Sequence, residues 1–373
     1  MRKIRVLIVE DSLTIRQRLA EVLSADAEIE VVGIAPNGKV AIELCQKLRP
    51  DAMTLDMVLP VLNGLAVTEY VMAYCPTPIL IVSSSTNRGD LYKTYDALAA
   101  GALDVLDKPV GNEVDGAWEQ ALVAAIKMAS RIKVITHVRG RLSNRFRLPP
   151  EPVSPDHSNG GTYRAVAIGA STGGPAALVR ILRSLPGDFP LPILIVNHIG
   201  EKFGSLLAEW LDSQSALRVS CAVDGEPLPE VGCGRVILAP PGRHVLLERG
   251  RLHLTDDAER HSCKPSVDIL FESVAREIGD RSIACLLTGM GKDGAAGLLA
   301  VRQAGGRTLA QDEATSTIFG MPQEAIRIGA AERIVGLHEI APTLTALTGG
   351  MALLPVFPKA SLEAAQTGLE RGA

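Results

Sequence analysis

Short apolar runs alternate with stretches of helical periodicity over the first third of the chain. After the first run, Ile15, Leu19, Val22 and Leu23 recur at the spacing of one helix face. The runs predict strands at residues 5–9, 30–35, 52–55, 78–82 and 104–106. Five strands interleaved with helices are typical of a doubly wound five-stranded parallel sheet, which we assign to residues 1–128.

The alternation stops at residues 129–162. This segment is basic at first and then rich in Pro, Gly and Ser, which predicts a flexible linker whose charges form a solvated surface. The alternation of apolar runs and helical stretches resumes at residue 163. Strands are predicted at residues 165–169, 192–197, 218–222, 236–238, 283–287 and 307–310. We therefore expect a second doubly wound, mostly parallel α/β domain over residues 163–350. Residues 351–373 are left as a C-terminal tail.

A pair of short apolar segments interrupts the second domain. Residues 245–247 and 252–254 flank Arg249 and Gly250, and a glycine between two such segments favours a tight turn. The pattern predicts an antiparallel hairpin added to the parallel sheet.

Composition and charge narrow the class of protein. Apolar residues make up 47% of the 373-residue chain and charged residues 21%, as in ordinary globular proteins. The net charge of -4 argues against nucleic-acid binding. The apolar runs are too short for a membrane span, and residues 4–9 are too short for a secretory signal. The six cysteines contain no CxxC pair, so we expect reduced thiols, no metal site among them and a cytoplasmic location without membrane insertion.

Acidic residues stand at the ends of several strands of the first predicted sheet. Glu10 and Asp11 end the first strand, and Asp56 ends the third. Ser83 ends the fourth, and Lys108 follows the fifth. Because the carboxyl ends of parallel strands share one edge, these side chains should meet. Three carboxylates repel one another, and Mg²⁺ would relieve that repulsion. A carboxylate held in this way can attack phosphorus, with Lys108 and Ser83 contacting the phosphoryl oxygens.

On these motifs, residues 4–127 resemble a response-regulator receiver domain. The matching segments are residues 9–12, 55–57 with Pro60 and 63–64, 82–84, and 108–109. The resemblance implies that Asp56 accepts a phosphoryl group from a histidine kinase, beside a metal site of Glu10, Asp11 and Asp56. Receivers usually carry an aromatic residue where this chain has Val105. Coupling through Ser83 and surface packing is therefore expected in place of an aromatic switch.

A serine, a histidine and an aspartate follow strands of the second predicted sheet. Ser171 lies in a G-x-S-x-G sequence, His198 ends a strongly apolar strand, and Asp293 follows residues 283–287. Converging at one sheet edge, they would form a hydrolase triad of nucleophile, base and orienting carboxylate.

Each of the three also has a simpler interpretation. The glycine-rich turn could bind phosphate, although it lacks the lysine of a nucleotide-binding P-loop. His198 could be structural, and Asp293 could cap a helix predicted at residues 295–304. The order Ser, His, Asp differs from that of α/β-hydrolases, so that fold is not assigned. Three functions remain open here: a controlled serine esterase, a non-catalytic binding module and a nucleotide-binding domain.

Residues 163–348 resemble the catalytic domain of bacterial chemotaxis protein-glutamate methylesterases. The matching segments are residues 168–174, His198, residues 239–242 with His244, 265–268, 287–294 and 319–322. The resemblance implies that Ser171 is the nucleophile, His198 the acid and base, and Asp293 the orienting acid, with Thr172 and the Met290 amide at the oxyanion. Asn197 departs from the family's usual glutamine.

The resemblance also implies substrates and partners. The substrates would be glutamate methyl esters on methylated chemoreceptors, with deamidation of receptor glutamines as a second activity. The phosphodonor would be the histidine kinase of the chemosensory array. The esterase itself would need no cofactor, and the alternative remains a response regulator whose second domain only binds.

Overall fold

The computed structural model describes residues 2–84, 87–109, 116–132 and 163–349. Most of the predicted linker and the whole of the predicted tail lie outside these residues. In the described part of the chain, no helix combines the length and the apolar character that crossing a membrane requires.

The first domain alternates strands and helices along the chain. Its elements are β1 Ile4–Val9, α1 Leu13–Ala25, β2 Ile29–Ala35, α2 Gly38–Leu48, β3 Ala52–Leu55, α3 Gly64–Tyr74, β4 Ile79–Ser83, α4 Arg88–Ala100, β5 Asp104–Asp107 and α5 Ala117–Ala129. The strands form one parallel sheet in the order β2-β1-β3-β4-β5. The doubly wound parallel fold is confirmed, and the strand ends differ from the prediction by at most one residue.

Helices cover both faces of this sheet. In β1, Leu7 and Val9 are buried in one apolar cluster, whereas Val6 and Ile8 are buried in another. Successive side chains of a strand point to opposite faces, so a strand covered on both sides must be apolar throughout. This explains why continuous apolar runs identified the strands.

The second domain contains a larger parallel sheet. Its elements are β6 Ala165–Ala170, α6 Gly174–Ser184, β7 Ile193–Asn197, α7 Glu201–Gly204, α8 Leu207–Gln214, β8 Arg218–Cys221, β9 Arg235–Leu238, β10 His244–Glu248, β11 Arg251–Thr255, α9 Val267–Ile278, β12 Ser282–Leu286, α10 Ala295–Gln303, β13 Arg307–Gln311, α11 Met321–Arg327, β14 Arg333–Val335 and α12 Leu337–Thr348. Seven parallel strands pair in the order β14-β13-β12-β6-β7-β9-β8. The predicted hairpin is β10–β11, which forms a separate antiparallel sheet.

Strand β6 is the point at which the strand order of this sheet reverses. The chain continues from β6 to β7 on one side and later returns through β12 on the other. In open α/β sheets, the crevice at such a switch point is where ligands bind. The loops after β6, β7 and β12 carry Ser171, His198 and Asp293.

The two domains pack through α4 of the first and α6 and α8 of the second. The ring of Tyr95 lies 5.4 Å from that of Trp210, measured between centroids. The Tyr95 hydroxyl donates a hydrogen bond to the Phe203 carbonyl. The Trp210 indole donates to Asp96 Oδ1 at 3.0 Å. This contact brings the first domain against the crevice.

Candidate active site

Ser171 and His198 follow neighbouring strands at matching positions. Ala170 of β6 is in register with Asn197 of β7, so the next residue on each strand faces the same crevice. The His198 amide donates to the Ala170 carbonyl at 3.0 Å, which fixes the two strand ends together. The Ser171 side chain is half-buried and makes no hydrogen bond to any residue that the structure describes. Its hydroxyl is therefore available to a substrate.

Glycines allow the loops around Ser171 to approach closely. Gly173 precedes α6 with a φ of 77°, a conformation that favours glycine. A Cβ on Gly289 would lie 2.7 Å from the Ser171 Cβ and 2.3 Å from the Met321 sulfur. The loop after β12 can reach the serine only because residue 289 lacks a side chain.

Asp293 holds His198 from the far side of the imidazole. Its Oδ2 lies 2.9 Å from His198 Nε2. The carboxylate also accepts hydrogen bonds from the Ser266 hydroxyl at 2.7 Å and the Val267 amide at 2.7 Å. Asp293 thus sits at the N-terminus of α9. The alternative that it caps the helix at residues 295–304 is wrong, because Gly294, with a φ of 88°, fills that position.

Burial and hydrogen bonding shift the pKa values of this pair in opposite directions. Burial raises the pKa of Asp293, but His198 and the donors at the start of α9 outweigh it and hold that pKa below its usual value. Burial lowers the pKa of His198, but its hydrogen bonds to Asp293 and Cys263 outweigh that effect and raise the pKa to about 9. The pair therefore favours a carboxylate beside a protonated imidazole.

Cys263 contacts the second ring nitrogen of His198, and no sequence pattern predicted this contact. Its Sγ lies 3.6 Å from His198 Nδ1. The residue stands in an irregular loop, where neither strand periodicity nor a cysteine pair marks it. The one available signal was its position two residues before Pro265, next to a segment that matches the family.

The two residues expected at the oxyanion differ in their surroundings. The Met290 side chain is 59% exposed, and its backbone amide has no hydrogen-bond partner in the described part of the chain. Thr172 is buried, and its hydroxyl donates to Asp104 Oδ2 in the first domain at 2.9 Å. Next to it, the Gly173 amide donates to the Leu103 carbonyl at 3.3 Å. In this arrangement Thr172 contacts the first domain.

Asn197, the noted departure from the family pattern, lies beneath the crevice. Its side chain is 5% exposed, and neither amide atom has a hydrogen-bond partner among the described residues. A Cβ on Gly174 would lie 2.0 Å from Asn197 Oδ1, so the amide packs directly against the start of α6.

The acidic residues of the first domain also meet at one sheet edge. One carboxylate oxygen each from Glu10, Asp11 and Asp56 lies within 4.8 Å of the others. Lys108 Nζ contacts Glu10 Oε2 at 2.9 Å and Asp56 Oδ2 at 2.8 Å. Ser83 is buried beside them, and its carbonyl accepts the Lys108 amide at 3.0 Å.

The charges of this cluster fit a hard divalent cation. Burial raises the pKa of Glu10 and of Asp56, and the neighbouring carboxylates add to the effect. Three carboxylates face one lysine, so the cluster carries surplus negative charge. Oxygen ligands of this kind are what Mg²⁺ prefers.

Comparison with known proteins assigns the family of this chain. A family model described as CheB methylesterase matches residues 166–344, and one described as response regulator receiver domain matches residues 6–114. Protein-glutamate methylesterase/protein-glutamine glutaminase 2 of Anaeromyxobacter dehalogenans (strain 2CP-C) is 41% identical over 347 residues, covering 93% of this chain and 98% of that protein. A Pseudomonas aeruginosa protein of the same description is 42% identical over 348 residues, covering 91% and 96%. The crystal structure of the Thermotoga maritima CheB methylesterase catalytic domain is 37% identical and covers 50% of this chain and 100% of that chain, with a TM-score of 0.47. The chain belongs to the CheB methylesterase family.

Proposed function

We propose that this chain hydrolyses glutamate methyl esters on methylated chemoreceptors and deamidates receptor glutamines, under control of its receiver domain. The observation that carries the proposal is His198, held by Asp293 at 2.9 Å and lying next to Ser171 across two paired strands. Relatives described as protein-glutamate methylesterase/protein-glutamine glutaminase match over nearly their whole length. The work of this protein would be sensory adaptation in the cytoplasm.

Hydrolysis begins with Ser171. Its hydroxyl oxygen attacks the ester carbonyl, and His198 takes the hydroxyl proton at Nδ1, since Nε2 is bonded to Asp293. The carboxylate of Asp293 stabilises the resulting imidazolium. The Met290 amide stabilises the negative charge on the carbonyl oxygen by donating a hydrogen bond to it. The Thr172 hydroxyl donates a second one after it separates from Asp104 of the first domain.

The intermediate then loses methanol and is hydrolysed. His198 donates its proton to the methoxy oxygen, and the bond from the carbonyl carbon to that oxygen breaks. Methanol leaves, and the acyl group stays bound to Ser171 as an ester. Water attacks this ester with His198 again acting as base, releasing the glutamate carboxylate and the serine. A glutamine side chain follows the same steps, with ammonia leaving in place of methanol.

The receiver controls access to this chemistry. We propose that Glu10, Asp11 and Asp56 bind Mg²⁺ and that Asp56 accepts a phosphoryl group from a histidine kinase. The cation would offset charge on the carboxylates and on the phosphoryl oxygens. Lys108 and Ser83 would contact those oxygens. In the unmodified chain Asp104 holds the Thr172 hydroxyl at 2.9 Å, so the docked receiver covers one wall of the crevice.

Methanol release from methylated receptor membranes tests the esterase. The purified full chain should release methanol, and Ser171→Ala should not. The matched control is Ser184→Ala, an exposed serine of α6 that bonds only its own helix. A wild-type chain that releases no methanol would favour the alternative in which the second domain only binds, whereas a Ser171→Ala variant that releases methanol at the wild-type rate would refute Ser171 as the nucleophile.

A further inference from the structure

A cysteine and a histidine face each other in the crevice in a way that hydrolysis does not require. Cys263 Sγ lies 3.6 Å from His198 Nδ1, while Asp293 holds His198 Nε2 at 2.9 Å. Ligand atoms of all three residues lie within 4.8 Å of one another. The pair combines a soft sulfur donor with a nitrogen donor at the residue that carries the base function.

The spacing of the two donors matches that of two ligands on one tetrahedral metal ion. Zinc binds cysteine sulfur at roughly 2.3 Å and histidine nitrogen at roughly 2.0–2.1 Å. At a tetrahedral angle, those bond lengths separate sulfur and nitrogen by about 3.5 Å. The observed separation of 3.6 Å needs almost no adjustment.

The other ring nitrogen is held as metal-binding histidines usually are. Such histidines typically donate their remaining N–H to a carboxylate, which orients the ring and increases its basicity. Asp293 does this for His198, and Asp293 is itself fixed by the hydroxyl of Ser266 and the first amide of α9. The imidazole is therefore oriented before any cation arrives.

The surroundings favour a positive charge. Asp268 is fully buried beside Asp293, and its Oδ2 makes no hydrogen bond within the described residues. His261 Nε2 lies 3.3 Å from that oxygen, and the Nε of the Arg260 guanidinium lies 3.7 Å from it. Two buried carboxylates thus lie together on the side of His198 that Asp293 contacts.

We propose that His198 Nδ1 and Cys263 Sγ bind Zn²⁺ or a similarly soft divalent cation, with water completing its coordination, and that the bound ion inhibits the esterase. Binding replaces the S–H bond of Cys263 and the N–H bond at His198 Nδ1 with bonds to the metal and releases both protons to solvent. The inhibitory part rests on the proposed function, because the ion occupies the nitrogen that takes the Ser171 proton. The ion is an inhibitor here and supplies no step of hydrolysis.

This site differs from the expectation that the cysteines form no metal site, and the other cysteines offer controls. Cys45, Cys75 and Cys285 are buried. Cys233 is exposed and does not belong to any potential metal-binding group within the described residues. Cys233→Ser is therefore the matched control for Cys263→Ser.

Binding is measured on the full chain, with saturating Mg²⁺ to occupy the acidic cluster of the receiver. Zn²⁺ is titrated against a chromogenic chelator, and Co²⁺ is used as a spectroscopic substitute. Wild type and Cys233→Ser should bind one Zn²⁺ and show a thiolate-to-Co²⁺ absorption band. Cys263→Ser should lose the band and bind Zn²⁺ about tenfold more weakly or worse. Equal Zn²⁺ affinity and an unchanged band in Cys263→Ser would overturn the site.

Inhibition is measured separately by methanol release. Zn²⁺ should inhibit wild type and Cys233→Ser, and a chelator should restore both rates. Cys263→Ser should need about tenfold more Zn²⁺ for half-inhibition, relative to its own rate without Zn²⁺. Tight binding at Cys263 with an unaffected rate would overturn the inhibitory part. A chain without esterase activity would refute the proposed function, whereas the binding measurements would still decide the metal site.

Discussion

Removing one hydroxyl from the domain interface should raise the basal activity of the unphosphorylated chain. Tyr95 is fully buried, and its hydroxyl donates to the Phe203 carbonyl across the interface. Tyr95→Phe deletes this hydrogen bond and keeps the ring against Trp210. When the domains separate, water forms hydrogen bonds with the Tyr95 hydroxyl and the Phe203 carbonyl. The deleted hydrogen bond therefore contributes only to the free energy of the docked state, and its loss weakens docking.

The size of the effect follows from the net value of one hydrogen bond. Such a bond contributes about 0.5–1.5 kcal/mol after exchange with water. If the docked state dominates, this loss raises the open fraction and the basal rate about 2- to 13-fold. The rate of the phosphorylated chain should change little, because phosphorylation is proposed to weaken docking. The activation ratio should therefore fall by the same factor.

Methanol release without and with a small-molecule phosphodonor measures both rates. Tyr70→Phe is the matched control, since the Tyr70 hydroxyl accepts a hydrogen bond from Gln46 Nε2 at 2.9 Å inside the receiver. It should leave the activation ratio unchanged. The docking argument is refuted if Tyr95→Phe keeps the wild-type unfolding midpoint and yet has an unchanged or lower basal rate.

Three further predictions concern the catalytic and phosphoacceptor residues. Ser171→Ala should lower methanol release by roughly 10⁴-fold or more without changing the unfolding midpoint, and a loss of activity only through unfolding would contradict the assigned role. Hydrolysis needs the neutral imidazole of His198, whose pKa is about 9, so kcat/KM of wild type should rise with pH up to that value. Asp293→Asn removes the carboxylate that raises this pKa, so the variant should lose roughly 10³- to 10⁴-fold in rate and show its rise at lower pH; an unshifted profile would contradict this. Asp56→Ala should retain the basal rate and ignore a phosphodonor, and activation of this variant by the donor would refute Asp56 as the acceptor.

The sheets could be predicted from the sequence because their strands are apolar on both faces. A parallel strand covered by helices forms an uninterrupted apolar run, as in β7 Ile193–Asn197, where every residue is buried. The edge strand β14 was not predicted. It spans only Arg333–Val335, and its first two residues are half-buried, so no run marks it.

The same logic predicts that Ser171, His198 and Asp293 lie at one edge of the second sheet. It depends on the parallel direction of the strands, which brings residues distant in sequence together. Cys263 does not follow a strand, so this logic could not place it. The hydrogen bond between Thr172 and Asp104 joins two domains, and such docking leaves no local pattern in the sequence.

Strand β5 links the two sites of the molecule. Lys108, just beyond its carboxyl end, contacts Asp56 at 2.8 Å, and Asp104, at its start, accepts the Thr172 hydroxyl at 2.9 Å. A strand advances about 3.3 Å per residue, so these positions are about 13 Å apart along one segment. A shift of Lys108 toward a phosphoryl group on Asp56 would displace the strand whose other end contacts Thr172, the neighbour of the proposed nucleophile Ser171. Receivers that rely on an aromatic switch need an intermediate side chain, whereas here the backbone of β5 itself joins Lys108, which contacts the proposed phosphoacceptor Asp56, to Asp104, which contacts Thr172.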